Sequence, residues 1–127
     1  MKNNSLSILI NRSVKKVFAF TTTPPNSTLW IPSVVKEETN EWPIKAGTVY
    51  KLQDEGGVDS EVTVSNLKIN EYIEWTSNDH NYHCRYTFKQ VGSNASVLDY
   101  YEWVDKGEIK NPFTLEILKK LKSVIEE

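Results

Sequence analysis

The sequence has little of several residue types, and each shortage argues against a class of protein. Its 127 residues include one cysteine, Cys84, which excludes an internal disulfide and fits a reducing compartment. Fifteen Lys and Arg against seventeen Asp and Glu leave no basic excess, as a nucleic-acid partner would require. No apolar run approaches the roughly 20 residues that a membrane-spanning helix needs. We therefore expect neither a nucleic-acid partner nor a membrane span.

Signals that would divide the chain or direct it elsewhere are also missing. Residues 1–7 carry one lysine and mostly polar side chains, without the apolar segment of a secretory signal. With the lone cysteine, this predicts a cytoplasmic protein. No repeat or low-complexity linker appears, and the length suits one domain over residues 1–127.

Aromatic residues, in contrast, are abundant. The chain holds four Trp, six Tyr and four Phe beside five Gly and one Met. A small core needs fewer large rings than this, so the arrangement of strands and helices should show what the rings surround.

The first 30 residues predict a strand followed by a helix. Leu6–Ile10 is the strand, and Ser13 is a suitable N-cap for the helix. One helical face carries apolar residues at the spacing i, i+3, i+4, namely Val14, Val17 and Phe18. Pro24 and Pro25 end this helix, and residues 25–30 suit one more short helical turn.

Period-two alternation then predicts strands, and the tail predicts a closing helix. The strands cover residues 34–39, 47–53, 58–64, 72–76, 82–88 and 97–104. Asn111 is a plausible N-cap and Pro112 a suitable first residue for a helix that runs to Glu127. Its apolar stripe predicts that the helix covers one face of an antiparallel sheet.

Alternation also predicts which strand residues face the core, because neighbouring side chains point to opposite faces. We expect six residues to point inward: Tyr50, Leu52, Ile73, Trp75, Tyr86 and Phe88. The last strand has two apolar phases, and periodicity alone does not choose between them. One contains Leu98, Tyr100, Glu102 and Val104, and the other contains Val97, Asp99, Tyr101 and Trp103.

The order of elements and several short motifs resemble the START-like (SRPBCC) superfamily. The residues that carry the resemblance are Ser13–Phe20, Leu29–Pro32, Gly47–Tyr50, Tyr86–Phe88, Gly92, Ser96–Leu98 and Leu118–Leu121. Members include polyketide cyclase/dehydrase-like proteins, plant pathogenesis-related allergen proteins and lipid-transfer domains. The resemblance implies an α+β helix-grip fold: a curved antiparallel sheet of six to seven strands wraps around a C-terminal helix. One or two short helices follow the first strand, and a hydrophobic cavity lies between sheet and helix.

Two departures from the family pattern bear on the cavity. The closing helix is short, and the frequent Gly-Gly-Thr turn is replaced by Ser93-Asn94-Ala95-Ser96. A short closing helix argues against a deep lipid tunnel. We expect a small or partly open pocket, which the surplus rings would either line or fill.

The resemblance favours the phase of the last strand that points Leu98, Tyr100 and Glu102 inward. A carboxyl group among rings loses hydration, so Glu102 (or Asp99 in the other phase) is the candidate catalytic acid, able to donate a hydrogen bond to a ligand carbonyl. The alternative is a carboxylate that is paired with a lysine or arginine, or that lies in solvent.

The same phase of the last strand places Tyr101 and Trp103 on the outer face. They would form an exposed aromatic patch there, which predicts a homodimer through that face.

We predict ligand contacts from residues of the inner face and the closing helix: Trp30, Tyr50, Trp75, Tyr86, Phe88, Tyr100, Glu102, Ile117 and Leu121. For the two tryptophans the alternative is plain core packing. His80, His83 and Cys84 lack zinc-ligand spacing, since adjacent strand residues point to opposite faces, so we expect no metal and no cofactor. Cys84 is interpreted as a small buried apolar residue.

Three functions are compatible with these features. The preferred one is binding of a small hydrophobic or aromatic molecule in the internal pocket. The second is a polyketide cyclase/dehydratase-like enzyme, which needs at least two polar groups that converge in the cavity, drawn from the pocket acid and tyrosines. The third is a protein-interaction domain of the chaperone-activator type, which needs an exposed apolar face.

Overall fold

The computed structural model describes all residues, 1–127, and contains seven strands, two α-helices and one 3-10 turn. The strands are β1 (Asn3–Ile10), β2 (Lys36–Thr39), β3 (Val49–Gln53), β4 (Asp59–Lys68), β5 (Tyr72–Ser77), β6 (Tyr82–Gly92) and β7 (Ala95–Val104). The helices are α1 (Val14–Thr22) and α2 (Leu115–Ile125), and the 3-10 turn (Asn26–Leu29) follows α1. The predicted α+β helix-grip class is therefore confirmed.

All seven strands form one curved, open antiparallel sheet in the order β1-β7-β6-β5-β4-β3-β2. The first and last strands are neighbours, with Leu6 opposite Tyr100. The remaining strands follow one another as hairpins, with irregular register between Val64 and Asn66 and between Gln90 and Gly92. This order brings the N-terminus beside β7 and leaves β2 at the far edge, beside the 3-10 turn.

The first helix forms where its sequence signals place it. The Lys16 backbone N–H donates to the Ser13 side-chain oxygen at 3.4 Å, and the apolar face with Val17 and Phe18 is buried. The helix ends at Thr22, because Pro24 follows and cannot continue the hydrogen-bonded ladder.

The closing helix begins later than its sequence predicts. Thr114, not Asn111, is the N-cap, and its side-chain oxygen accepts from the Ile117 backbone N–H at 3.4 Å. Asn111 has a φ of 54°, which is unsuitable for an N-cap, and the Phe113 backbone N–H donates to Glu102 at 2.8 Å. The predicted start at Pro112 is wrong because this contact with the sheet holds residue 113 outside the helix.

The structure selects one phase of the last strand. Leu98, Tyr100 and Glu102 are at most 1% exposed on the inner face, whereas Tyr101 on the outer face is 39% exposed. Leu118 and Leu121 of α2 complete the core without exposed surface. Neither helix is long and apolar enough to cross a membrane.

Candidate functional site

A partly open cavity of about 150 Å³ lies on the inner face of the sheet, beneath the 3-10 turn and the segment that follows it. Most of the lining is apolar or aromatic. The lining residues are Thr21, Ser27, Ile31, Ser33, Val34, Glu37, Tyr50, Leu52, Val62, Trp75, Tyr82, Cys84, Tyr86, Tyr100 and Phe113. The pocket is thus small, as the short closing helix predicts.

Four of the predicted contact residues line this cavity: Tyr50, Trp75, Tyr86 and Tyr100. The rings of Tyr50, Trp75 and Tyr86 pack edge to face, which fixes their orientation. The centroids of Tyr50 and Trp75 lie 5.6 Å apart at 89°, and those of Trp75 and Tyr86 lie 4.9 Å apart at 69°. The rings therefore both fill part of the inner face and form the wall of the space that remains.

The other five predicted contact residues do not line the cavity. Trp30 is 1% exposed and packs behind Tyr86, with ring centroids 6.2 Å apart. Phe88 packs edge to face against Phe18 at 5.3 Å. The rest are Glu102, Ile117 and Leu121, and the last two belong to α2, which packs against β1. These five residues have no direct access to the cavity, so their contact with a ligand remains a prediction.

Glu102 lies behind the cavity wall and is fully engaged by donors. The Tyr82 hydroxyl donates to its Oε1 at 2.6 Å. The Asn4 side-chain amide and the Phe113 backbone N–H each donate to its Oε2 at 2.8 Å. The Tyr82 hydroxyl also lies 3.2 Å from that of Tyr100. The carboxylate joins β1, β6, β7 and the segment before α2, and it is connected to the cavity through the lining residues Tyr82 and Phe113.

The carboxyl group that does line the cavity is that of Glu37 on β2, which is not among the predicted contact residues. Glu37 pairs with Leu52 in the β2–β3 register, and both side chains face inward. The Ser27 backbone N–H donates to Glu37 Oε1 at 3.1 Å. Burial raises the pKa of Glu37, and the hydrogen bonds from Ser27 oppose that shift. The pairing of a short predicted strand with the inward phase of Leu52 was the signal that could have found it.

The tyrosine hydroxyls of the cavity differ in their hydrogen bonding. The Tyr50 hydroxyl donates to the Thr22 carbonyl at 2.6 Å, whereas the Tyr86 hydroxyl has no partner in the chain and belongs to a cavity-lining residue. Burial raises the pKa of both phenols, and the charge of Glu37 adds to the shift in each. Tyr86 therefore offers the cavity a neutral hydroxyl that is free to donate or accept.

The indole N–H groups of Trp30 and Trp75 are the other polar groups among the packed aromatic rings. The indole nitrogens of Trp30 and Trp75 are buried and have no hydrogen-bond acceptor. The Trp75 ring meets Tyr50 and Tyr86 edge to face. Contacts between an N–H group and an aromatic face are favourable, although weaker than ordinary hydrogen bonds. The tryptophans thus contribute apolar surface to the site and its support.

The remaining candidates lie on both faces of the sheet. Cys84 lines the cavity, and burial raises the pKa of its thiol. His83 lies on the outer face, where its Nδ1 is 3.1 Å from the Thr76 hydroxyl and its ring stacks on Trp103 at 4.7 Å. His80 is exposed in the loop between β5 and β6. No group of three His, Cys, Asp or Glu side chains is placed to hold a metal ion.

Comparisons with known proteins agree with the fold described above. A family model described as polyketide cyclase/dehydrase and lipid transport matches residues 1–127. A START superfamily protein from Mycobacterium smegmatis has a TM-score of 0.78 at 17% identity, covering 99% of this chain and 98% of that chain. The protein XoxI from Bacillus cereus has a TM-score of 0.78 at 16% identity, covering 100% and 97%.

A third similar structure is norcoclaurine synthase from Thalictrum flavum in complex with dopamine and hydroxybenzaldehyde. It has a TM-score of 0.65 at 12% identity, covering 98% of this chain and 83% of that chain. At these identities the similarity shows the fold alone. A comparison with curated protein sequences finds no match.

Proposed function

The chain belongs to the polyketide cyclase/dehydrase and lipid transport family, and on that premise we propose that it binds a small apolar or aromatic molecule in the cavity lined by β2–β7. The observation that carries the proposal is a partly open cavity of about 150 Å³ whose walls are mainly rings and aliphatic side chains. Such concave apolar sites with a few polar groups are typical of small-molecule binding.

The size of the cavity limits what it can hold. An engineered protein cavity of about 150 Å³ binds benzene, so this space accommodates roughly one ring. A longer ligand would extend toward the more accessible part of the lining, where Ser33 is exposed and Val34 is half-buried. Binding would be driven by removal of apolar surface from water, at about 25 cal/mol per Å² buried.

The proposal is tested by extraction and by titration. Native mass spectrometry of the purified protein, followed by organic extraction, identifies any small apolar compound that copurifies. A titration with toluene can be monitored by the NMR signals of the tryptophan indoles. The Trp75 signal should shift, and the shift should saturate when one equivalent of toluene is bound. If neither a copurifying compound nor a saturable shift is found, the proposal is wrong.

A matched pair of variants places the binding in the cavity. Val62 is half-buried in the lining, so Val62→Trp should fill the space and abolish the toluene shift. Val58 lies just before β4, is 62% exposed and does not line the cavity, so Val58→Trp should leave binding unchanged. Circular dichroism verifies that both variants are folded.

A second candidate is an enzyme of the cyclase/dehydratase type. The observation that favours it is that Glu37 and Tyr86, an acid and a free hydroxyl, both line the cavity. A proton donor and acceptor in one pocket are the minimum for acid–base chemistry on a carbonyl substrate, although the fold alone does not license a reaction. The linear 1,5-diketone 2,6-heptanedione can close a six-membered ring by aldol addition and then lose one water, and mass spectrometry would detect that loss of water. Glu37→Gln and Tyr86→Phe should each abolish it.

A further inference from the structure

The electrostatic character of the cavity is set by a single acidic side chain. Glu37 is the only Asp or Glu in the lining, and the lining contains no Lys, Arg or His. A buried anion without a cationic partner is costly, because desolvation is not repaid by an ion pair. An anionic ligand in this cavity would also face the carboxylate of Glu37. The cavity therefore disfavours carboxylate and phosphate groups.

Glu37 has no cationic side chain as an ion-pair partner. Ser27 is its hydrogen-bonding partner, and no Lys, Arg or His lies within ion-pair distance of it. Two other partly buried carboxylates do have cationic partners, since Glu74 pairs with Arg85 at 2.7 Å and Glu126 pairs with Lys122 at 2.6 Å. Burial raises the pKa of Glu37, as expected for a carboxylate that has lost hydration without gaining a cation.

Glu37 also lines an open cleft that adjoins the cavity on its outer side. This cleft contains Glu38 and Trp42, whose side chain is 58% exposed, together with Pro24 and Pro25. Carboxylates beside an indole face attract cations, through charge and through the quadrupole of the ring. The cleft through which a ligand would approach Glu37 from solvent thus favours cations over anions, as the cavity does.

Resting on the ligand binding proposed above, we infer that the ligand is a one-ring compound with a protonated amine, which places its ring against Trp75 and Tyr86 and its ammonium group at Glu37. The ammonium donates to the carboxylate oxygens, and the ring displaces water from the apolar wall. Fatty acids and other anionic lipids are rejected at the same place. Glu37 is in this view the residue that selects ligands by charge.

Three probes of similar size and different charge test the inference. They are 2-phenylethylamine, 2-phenylethanol and 3-phenylpropanoate, with dissociation constants measured by calorimetry at pH 7. Charge-assisted hydrogen bonds are roughly twice as strong as neutral ones, so the amine should bind about 10-fold more tightly than the alcohol. The carboxylate should bind about 10-fold more weakly than the alcohol, because it is desolvated beside Glu37.

Glu37→Gln removes the charge and keeps an oxygen for the Ser27 N–H. It should reduce amine binding to the level of the alcohol and leave the alcohol within about threefold, since a neutral ligand gains little from the charge. Glu55→Gln is the matched control, because Glu55 is exposed in the turn between β3 and β4 and lines neither the cavity nor the cleft, and it should keep the order of the three probes.

The outcomes separate the inference from the function on which it rests. If the amine and the alcohol bind equally, or if the carboxylate binds best, the charge selection is wrong while small-molecule binding stands. If the order survives Glu37→Gln, another group selects the charge and the inference fails. If toluene and all three probes fail to bind, the proposed function fails and the inference fails with it. The ranking in the unmodified protein decides the matter even where the variant does not fold.

Discussion

The ring of Phe113 lies parallel to the ring of Tyr100, with centroids 4.3 Å apart and planes 6° apart. Phe113 precedes α2 and lines the cavity, while Tyr100 belongs to β7 and lines it from the sheet. The Phe113 backbone N–H is held by Glu102 at 2.8 Å. One stack and one charge-assisted hydrogen bond therefore fix the entry of α2 and a wall of the cavity at the same time.

Removing the Phe113 ring should enlarge the cavity at a moderate cost in stability. Phe113→Ala deletes a half-buried ring that contacts Tyr100 and Trp30, so we expect a loss of about 1–3 kcal/mol in the free energy of unfolding. Urea denaturation measures the loss. The enlarged cavity should also accept naphthalene, which the unmodified protein should bind weakly.

The control for that change lies two residues away. Leu115 is 41% exposed at the start of α2, so Leu115→Ala should change the free energy of unfolding by less than about 0.5 kcal/mol and leave ligand size preference unaltered. Equal stability losses in the two variants would contradict the role assigned to the Phe113 ring.

Loss of the Glu102 carboxylate should be more damaging than loss of its charge. Glu102→Leu removes the acceptor that the part-buried donors of Asn4, Tyr82 and Phe113 share, which should cost about 3 kcal/mol or more. Glu102→Gln keeps one oxygen for two donors, and its amide can donate to the Tyr82 oxygen, so the loss should be about 1–2 kcal/mol.

Both Glu102 variants are compared with Glu116→Gln, whose side chain is 80% exposed in the first turn of α2. Chemical denaturation should find this control within about 0.5 kcal/mol of the unmodified protein. A Glu102→Leu protein as stable as the control would show that the buried hydrogen bonds do not hold the segment before α2.

Local patterns predict the strands and their faces because burial alternates regularly along them. Tyr86 and Phe88 on β6, and Leu98, Tyr100 and Glu102 on β7, lie on the inner face as the alternation and the family resemblance predict. The hydrogen-bond partners of Glu102, in contrast, cannot be predicted from local alternation. Asn4 is 98 residues away in the chain, so its contact depends on the β1–β7 pairing and is invisible to any local pattern.

The incorrect predictions about the site also arise from contacts between residues that are distant in the sequence. Pro112 is a good first residue for a helix, but the contact between Phe113 and Glu102 delays the helix start. Glu37 looks like an ordinary surface residue of a short, charged strand, and only the path of the 3-10 turn over β2 encloses it. Residues of α2 are poor predictors of the site because this helix packs against β1, far from the cavity edge at β2.

The half-buried charge of Glu37 should make the stability effect of Glu37→Gln depend on pH. Because the folded-state pKa is raised, the ionised carboxyl costs stability above that pKa, and the cost disappears as pH falls below the unfolded pKa. Glu37→Gln removes the ionisation, so its stability relative to the unmodified protein should be greater at pH 7 than near pH 4. Urea denaturation at the two pH values measures the difference.

Glu38→Gln provides the comparison, since Glu38 is exposed on the same strand. Its effect on the free energy of unfolding should differ less between the two pH values than that of Glu37→Gln. An effect of Glu37→Gln that is identical at pH 7 and pH 4 would contradict the burial of its charge.

The outer face of the sheet presents aromatic surface that predicts self-association. Tyr101 stacks on Trp103 at 5.1 Å, and Trp103 stacks on His83, so the rings form a continuous row. Sedimentation velocity should detect a dimer as concentration rises, and Tyr101→Glu should weaken it by placing charge in the row. Monomer alone at millimolar concentration would rule the dimer out.

Alkaline pH should unfold the protein through the tyrosines of the cavity wall. Burial raises the pKa of the phenols of Tyr50, Tyr82, Tyr86 and Tyr100. A raised folded-state pKa means that stability is full below the unfolded pKa of about 10 and falls as pH rises above it. The phenolate absorbance of these four residues should therefore appear together with the loss of circular dichroism. If it appears while the circular dichroism of the folded protein persists, the cavity wall admits hydroxide and these phenols are not sealed by the fold.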